Sequence, residues 1–93
     1  MDGVLWYVLA STRGGANRVR ILREIADRPR NANQLAEELE LDYTTVRHHL
    51  DVLEDNNVVR NSGGDYGTVY LPTEACEDHW DTVTEIIDTM EEL

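Results

Sequence analysis

Asp42 opens the stretch that most constrains this chain. It precedes Tyr43-Thr44-Thr45-Val46-Arg47-His48-His49-Leu50-Asp51-Val52-Leu53, and a carboxylate at that place accepts from the free backbone N–H groups of a first helical turn. Val46, Leu50 and Leu53 recur at helical spacing, which predicts a capped helix with one apolar face. The opposite face carries Thr44, Arg47, His48 and Asp51, side chains that are short or end in groups able to reach base edges. Asn56-Asn57 closes the helix, because asparagine tolerates the left-handed conformation found there. Upstream, Asn31 and Gln34 have capping-box spacing, and Leu35, Ala36 and Leu39 supply an apolar side, so a shorter helix precedes the first. Two capped helices joined by a tight turn around Glu40-Leu41 make a helix-turn-helix.

Three segments carry a likeness to a known family: Asn33-Gln34-Leu35-Ala36-Glu37-Glu38-Leu39, Leu41-Asp42-Tyr43-Thr44-Thr45-Val46-Arg47-His48-His49-Leu50 and Val52-Leu53-Glu54-Asp55-Asn56-Asn57-Val58-Val59. In them the chain resembles the winged helix-turn-helix regulators of the ArsR-like group, over residues 15–72. The resemblance implies a fold and a partner, double-stranded DNA; it names no operator and no effector.

The segments around this motif fit the same plan. From Ala16 to Asp27, Val19, Leu22 and Ala26 share a line with Ile21 and Ile25 beside it, a wide buried stripe ending at Pro29. Arg20 and Arg23 read as a solvated face beside Glu24 and Asp27, and Arg18, near the helix start, as a contact for DNA backbone. The preceding Gly14-Gly15 pair reads as a hinge. Beyond the motif, Val58-Val59-Arg60 and Thr68-Val69-Tyr70-Leu71 flank the turn-rich Asn61-Ser62-Gly63-Gly64-Asp65-Tyr66-Gly67, the pattern of a β-hairpin. In winged-helix proteins this hairpin is the wing, and Arg60, Asn61, Ser62 and Tyr66 stand where phosphates or the minor groove would be met.

After Pro72, a last helix begins at Thr73. Cys76, Trp80, Val83, Ile87 and Met90 are spaced four, three, four, three, an a/d seam that Ile86 and Leu93 widen. The first residues, Val4 to Leu9, are apolar almost throughout, so periodicity leaves helix and buried strand both open; a short helix packing Leu5, Trp6 and Leu9 is preferred, with Trp6 and Trp80 in a shared terminal core. In a monomer this stripe would simply cap the winged-helix core, but a seam so apolar and regular is more than one small core absorbs easily, so Leu5, Trp6, Leu9, Cys76, Trp80, Val83, Ile87 and Met90 are assigned to a symmetric homodimer interface. Two recognition helices held about 34 Å apart would then read an inverted repeat. The expected architecture is mainly α with a small β-hairpin: a single winged helix-turn-helix domain over residues 1–93, divided into an N-terminal dimerisation segment (1–14), the winged motif (15–72) and a C-terminal dimerisation helix (73–93).

Charge is the feature that fits least. The formal net charge is -11, whereas the footprint of a nucleic-acid binder is basic. The distribution explains more than the total. Residues 1–60 hold eight arginines against ten carboxylates, and residues 61–93 hold nine carboxylates and no cation, so the acid is concentrated away from the helix-turn-helix. An acidic chain with no lysine also resembles proteins of salt-loving archaea, in which molar salt shortens the screening length to about 3 Å and relieves self-repulsion. Such a reader relies less on counterion release and more on base contacts and shape. No apolar run approaches membrane-spanning length, and the short apolar start lacks a basic leader, so a cytoplasmic protein with no membrane partner is expected. One cysteine excludes an internal disulfide framework.

Arg47 is the first candidate for direct readout, its planar fork matching guanine O6 and N7. Thr44 suits a thymine methyl or a phosphate, Tyr43 and Thr45 lie where helix-start N–H groups face phosphate, and His48 suits either target. Asp51, one turn beyond Arg47, either orients it or accepts from cytosine. His49 points inward, as a hydrogen-bonded core histidine. Cys76 and His79 at i, i+3 make one soft pair, which is no metal site, and no cofactor is expected. No nucleophile triad, phosphate loop or paired-carboxylate setting stands out from the acidic surface, so catalysis is not expected. Two alternatives to a DNA-binding regulator are a winged-helix module that binds protein instead of DNA, and a metal-responsive repressor.

Overall fold

The computed structural model describes residues 1–63 and 68–92. Tyr66 and Leu93, named above for the wing and the seam, lie outside those residues. Helix α1, Asp2–Trp6, runs into one wider turn over Tyr7–Ser11, so the apolar start, which its pattern left open between helix and strand, is helical. Helices α2 (Gly15–Asp27), α3 (Ala32–Leu39) and α4 (Tyr43–Asp55) follow. Strands β1 (Val59–Asn61) and β2 (Tyr70–Pro72) pair antiparallel, Val59 with Pro72, Arg60 with Leu71 and Asn61 with Tyr70. Helices α5 (Glu74–Asp78) and α6 (Trp80–Glu91) complete the chain. This is a winged helix-turn-helix: mainly α, with one small two-stranded sheet.

Local chemistry accounts for the boundaries. In α3 the capping box forms in both directions, Gln34 N–H donating to Asn31 Oδ1 and Asn31 N–H to Gln34 Oε1, each at 2.8 Å. Glu40 takes a left-handed conformation, φ 55°, and its N–H and that of Leu41 close on the last carbonyls of α3, so the turn of the motif is built from helix-end bonds. Asp42 caps α4 through Oδ2, which accepts from Thr44 N–H at 2.9 Å and Thr45 N–H at 3.4 Å. Asn57, φ 59°, ends α4 and turns the chain into β1.

Ile21, Leu22 and Ile25 of α2 meet Leu35 of α3, Val46, Leu50 and Leu53 of α4, and Val58 and Val59 in one core. Ala26, placed on the buried stripe from spacing, is instead exposed on the surface. The Gly14-Gly15 pair is a packing point and not a hinge. A Cβ on Gly15 would stand 2.3 Å from the Leu9 carbonyl oxygen, and one on Gly14 would stand 2.6 Å from His49 Cε1. Only glycine lets the start of α2 come this close to the N-terminal turn and to α4.

The C-terminal segment departs from the single helix expected. It breaks at His79 (φ -113°, ψ 26°) into α5, which Thr73 caps through Cys76 N–H at 3.0 Å, and α6, which has no side-chain cap. The seam is not uniformly buried. Cys76 and Val83 are buried, and so is Ile86, whereas Trp80, Ile87 and Met90 are half-buried. Leu5 and Leu9 are likewise enclosed in the chain's own core, with Trp6 partly exposed beside them. Four of the eight residues assigned to a dimer interface (Leu5, Leu9, Cys76, Val83) thus have their surface covered within one chain. The shared terminal core is present: α1 packs on α6, and Thr82 Oγ1 donates to Asp2 Oδ1 at 2.8 Å.

Candidate nucleic-acid interface

Two elements converge on one face of the molecule: the outer side of α4 and the outer part of the β-hairpin. On α4, Tyr43 is 48% exposed, Thr44, His48 and Asp51 are exposed, and Thr45 and Arg47 are partly so. On the hairpin side, Arg60, Asn61 and Ser62 are exposed. Between them runs a groove of about 440 Å³ lined by Asn31, Ala32, Asn33, Tyr43, Arg47, Glu54, Asn61, Thr68 and Tyr70. Of the residues nominated from sequence, the fold brings Tyr43, Arg47 and Asn61 together at this groove; Thr44, Thr45, His48, Asp51, Arg60 and Ser62 stand outside its lining.

Arg47 does not extend freely from its helix. Its Nη1 donates to the Tyr70 hydroxyl, its Nη2 donates to Asp51 Oδ1 at 3.3 Å, and its guanidinium carbon lies 5.9 Å from the centre of the Tyr70 ring. The bond to Tyr70, ahead of the nearby negative groups, pushes the Arg47 pKa up. Asp51 therefore holds Arg47, one of the two roles its spacing allowed. In the sequence Tyr70 is marked only as part of a β-prone run. Its hydroxyl reaches Arg47 across 23 positions of chain, a contact that no local periodicity announces. Asn61 Nδ2 donates to Glu54 Oε2 at 2.5 Å, tying the hairpin to α4 a second time.

The start of α4 also differs from expectation. The N–H groups of Thr44 and Thr45 are engaged by the Asp42 carboxylate, so this helix start presents a negative cap and not open donors.

Most of the arginines are occupied within the chain. Arg30 is buried and pairs with Glu24 at 3.1 Å, Asp27 at 3.6 Å and Glu38. Arg20 donates to the Leu39 carbonyl at 2.8 Å, Arg23 pairs with Glu91 at 3.2 Å and Arg28 with Glu38 at 3.6 Å. Arg18, read as a backbone contact, is 5% exposed and donates to Thr12 Oγ1. Burial lowers its pKa. Among the described residues, only Arg13 and Arg60 have no ion-pair or side-chain hydrogen-bond partner.

His49 faces inward as its position implied, 6% exposed, but its buried Nδ1 lacks the hydrogen bond expected of a core histidine. Burial first, then Arg18 and His48, lower its pKa below the ordinary histidine value. Cys76 is buried and its thiol pushed up to about 11, by burial and by Glu77. His79 Nδ1 lies 3.0 Å from the Ala75 carbonyl oxygen. Among the described residues no group of three His, Cys, Asp or Glu side chains is placed to hold a metal ion.

Residues 16–61, from the start of α2 through β1, match the family model described as bacterial regulatory protein, arsR family. Over those residues, just under half of the chain, the sequence is similar to the arsR-family helix-turn-helix. Its backbone superposes on a homodimeric winged helix-turn-helix DNA-binding domain, Mb0332 from Mycobacterium bovis, with TM-score 0.75 at 16% identity, covering 98% of this chain and 80% of that one. An ArsR-like transcriptional regulator from Rhodococcus sp. RHA1 gives TM-score 0.69 at 19% identity, covering 98% and 81%. Wild-type ZitR from Lactococcus lactis, solved in complex with DNA, gives 0.59 at 18% identity, covering 81% of this chain and 56% of that one. At these identities the likeness is one of fold, and the chain spans little more than half of ZitR. No curated protein matches the sequence.

Proposed function

We propose that this chain is an ArsR-family transcriptional regulator that binds duplex DNA as a homodimer, placing α4 in the major groove with the hairpin alongside. One observation carries the reading: a polar groove between α4 and the hairpin brings Tyr43, Arg47 and Asn61 together, while Thr44, His48 and Asp51 are exposed on α4 and Arg60 and Ser62 on the hairpin side. The family match and the folds it resembles support the same reading, and both point to a regulator and not an enzyme. Among the described residues no helix is long and apolar enough to cross a membrane, which accords with a cytoplasmic site of action.

The dimer face is narrower than the full seam. Trp6, Trp80, Ile87 and Met90 keep partly exposed apolar surface, and Val4 and Tyr7, 37% and 57% exposed, lie on the N-terminal elements that pack against α6. Paired across a two-fold axis, this face would set two copies of α4 on an inverted repeat. The acidic, lysine-free composition supports binding adapted to high salt, where loss of counterion release is offset by base and shape readout.

Fluorescence anisotropy with genomically selected and random duplexes, from low to multi-molar salt, tests the reading, with sedimentation for the assembly state. Selective binding that persists at high salt is expected, by a dimer on an inverted repeat. A chain that shows no preference for any duplex at any salt would refute it. The engagement of most arginines within the chain favours one other reading, a winged-helix module that binds protein; absence of DNA binding would move the assignment there.

A further inference from the structure

We propose that the groove between α4 and the hairpin is a seat for a DNA backbone phosphate, with Arg47 as its cation and Tyr70 as the residue that positions Arg47. Base reading then falls to the exposed Thr44 and His48. The inference rests on the DNA-binding reading above and assigns roles within that surface.

Tyr70 is a fixed reference point. It is 4% exposed, its N–H donates to the Arg30 carbonyl at 2.8 Å, and Arg30 is itself buried among carboxylates. The hydroxyl thus holds Arg47 Nη1 from the hairpin side while Asp51 holds Nη2 from the helix side. Bidentate reading of guanine requires two parallel N–H groups of the fork aimed at one base edge, and here Tyr70 and Asp51 take one N–H from each Nη and fix the direction of the fork. A phosphate oxygen asks for less, a charge and single donors in a tolerant geometry. The arrangement supplies these. The hydroxyl that accepts from Arg47 keeps its own proton for a second acceptor, and Asn33, Asn61 and Thr68 line the same groove with neutral polar groups that carry no sequence preference. Glu54 is the one carboxylate among the lining residues; Asn61 Nδ2 donates to it at 2.5 Å. It opposes an anion and limits how tightly the seat binds.

The test measures anisotropy of wild type, Arg47→Ala, Arg47→Lys, Tyr70→Phe and Glu54→Gln on one selected duplex and its single-base variants, across a salt series. Arg47→Ala is expected to weaken every duplex alike and to reduce the log–log salt slope by about one. Arg47→Lys should keep the slope and most of the affinity, since lysine binds phosphate as a point charge but cannot reproduce the guanidinium fork. Tyr70→Phe should weaken binding in the same uniform way, and Glu54→Gln should tighten it. A shift of preference at one base pair in Arg47→Ala with the slope unchanged, or Arg47→Lys as damaging as Arg47→Ala, would overturn the seat while leaving DNA binding intact. If Tyr70→Phe fails to fold by circular dichroism, the Arg47 pair alone decides. Wild type that binds no duplex removes the DNA reading itself, and the seat with it.

Discussion

Helix α4 and the α5–α6 segment carry apolar residues at similar helical spacing, yet they meet different fates. In α4 the apolar line Val46, Leu50 and Leu53 is wholly enclosed by the chain's own core, and everything opposite it is left to solvent. In the C-terminal segment the line is shared: Cys76, Val83 and Ile86 go inward, while Trp80, Ile87 and Met90 stay at the margin. The difference begins at the caps. Asp42 starts α4 in one stroke, whereas the chain after Thr73 makes a single capped turn, breaks at His79 and starts again without a cap. Within α6 itself Val83 and Ile86 face the core while Trp80, Ile87 and Met90 stay at its edge, so one sequence seam is met by core on one side and solvent on the other. Spacing says which residues share a face; what that face meets depends on the rest of the chain.

Substitution at matched depths sharpens this contrast most. Leu50→Ala should cost about 2–5 kcal/mol in chemical denaturation, independent of protein concentration, because it leaves a cavity in a closed core. Ile87→Ala should cost far less in the monomer and instead raise the protein concentration at which sedimentation shows a dimer. An Ile87→Ala loss as large as that of Leu50→Ala, unchanged on dilution, would break the contrast by making Ile87 a core residue.

A pH titration probes the buried side of α4. His49 has its folded pKa depressed by burial and by Arg18, so the unfolded chain binds its proton more readily. The stability that neutral His49 contributes is full above the unfolded value of about 6.5 and is lost as pH falls from there toward the depressed folded pKa, with a slope of at most about 1.4 kcal/mol per pH unit. Denaturation midpoints measured from neutral to mildly acid pH should show this loss, and His49→Gln should flatten it. A pH dependence identical in wild type and variant would place the titrating group elsewhere.

The caps give a smaller effect. Asp42→Ala should cost about 1 kcal/mol of stability, and Thr73→Ala a similar amount, since Thr73 caps α5 and also donates to the Asn57 carbonyl at 2.8 Å. Thermal melts of the two variants compare the two helix starts directly; an unaffected Asp42→Ala melt would mean that α4 is held by its apolar face alone. Smallest of all is the exposed pair Arg23–Glu91, which joins α2 to α6. Arg23→Ala should change stability by about 0–1 kcal/mol, and less at high salt.

The helix-turn-helix is legible in the chain because its chemistry is local. Capping residues, left-handed turn positions and helical spacing act within a few residues of one another, so Asp42, the Asn31–Gln34 box, Asn57 and the inward His49 can all be read from their neighbours. The outward face of α4 is legible for the same reason, because residues opposite an apolar stripe face outward. Contacts between distant segments are not. Tyr70 holding Arg47, Arg18 turned inward beside His49, and Gly15 meeting the Leu9 carbonyl each depend on where a second element lies. The same holds for the arginines: the sequence by itself determined how many cations this chain has, and only the tertiary structure decided that most of them face its own carboxylates, carbonyls and hydroxyls. A charge is a property of a residue, but its availability depends on which polar groups the fold brings within a few ångströms of it.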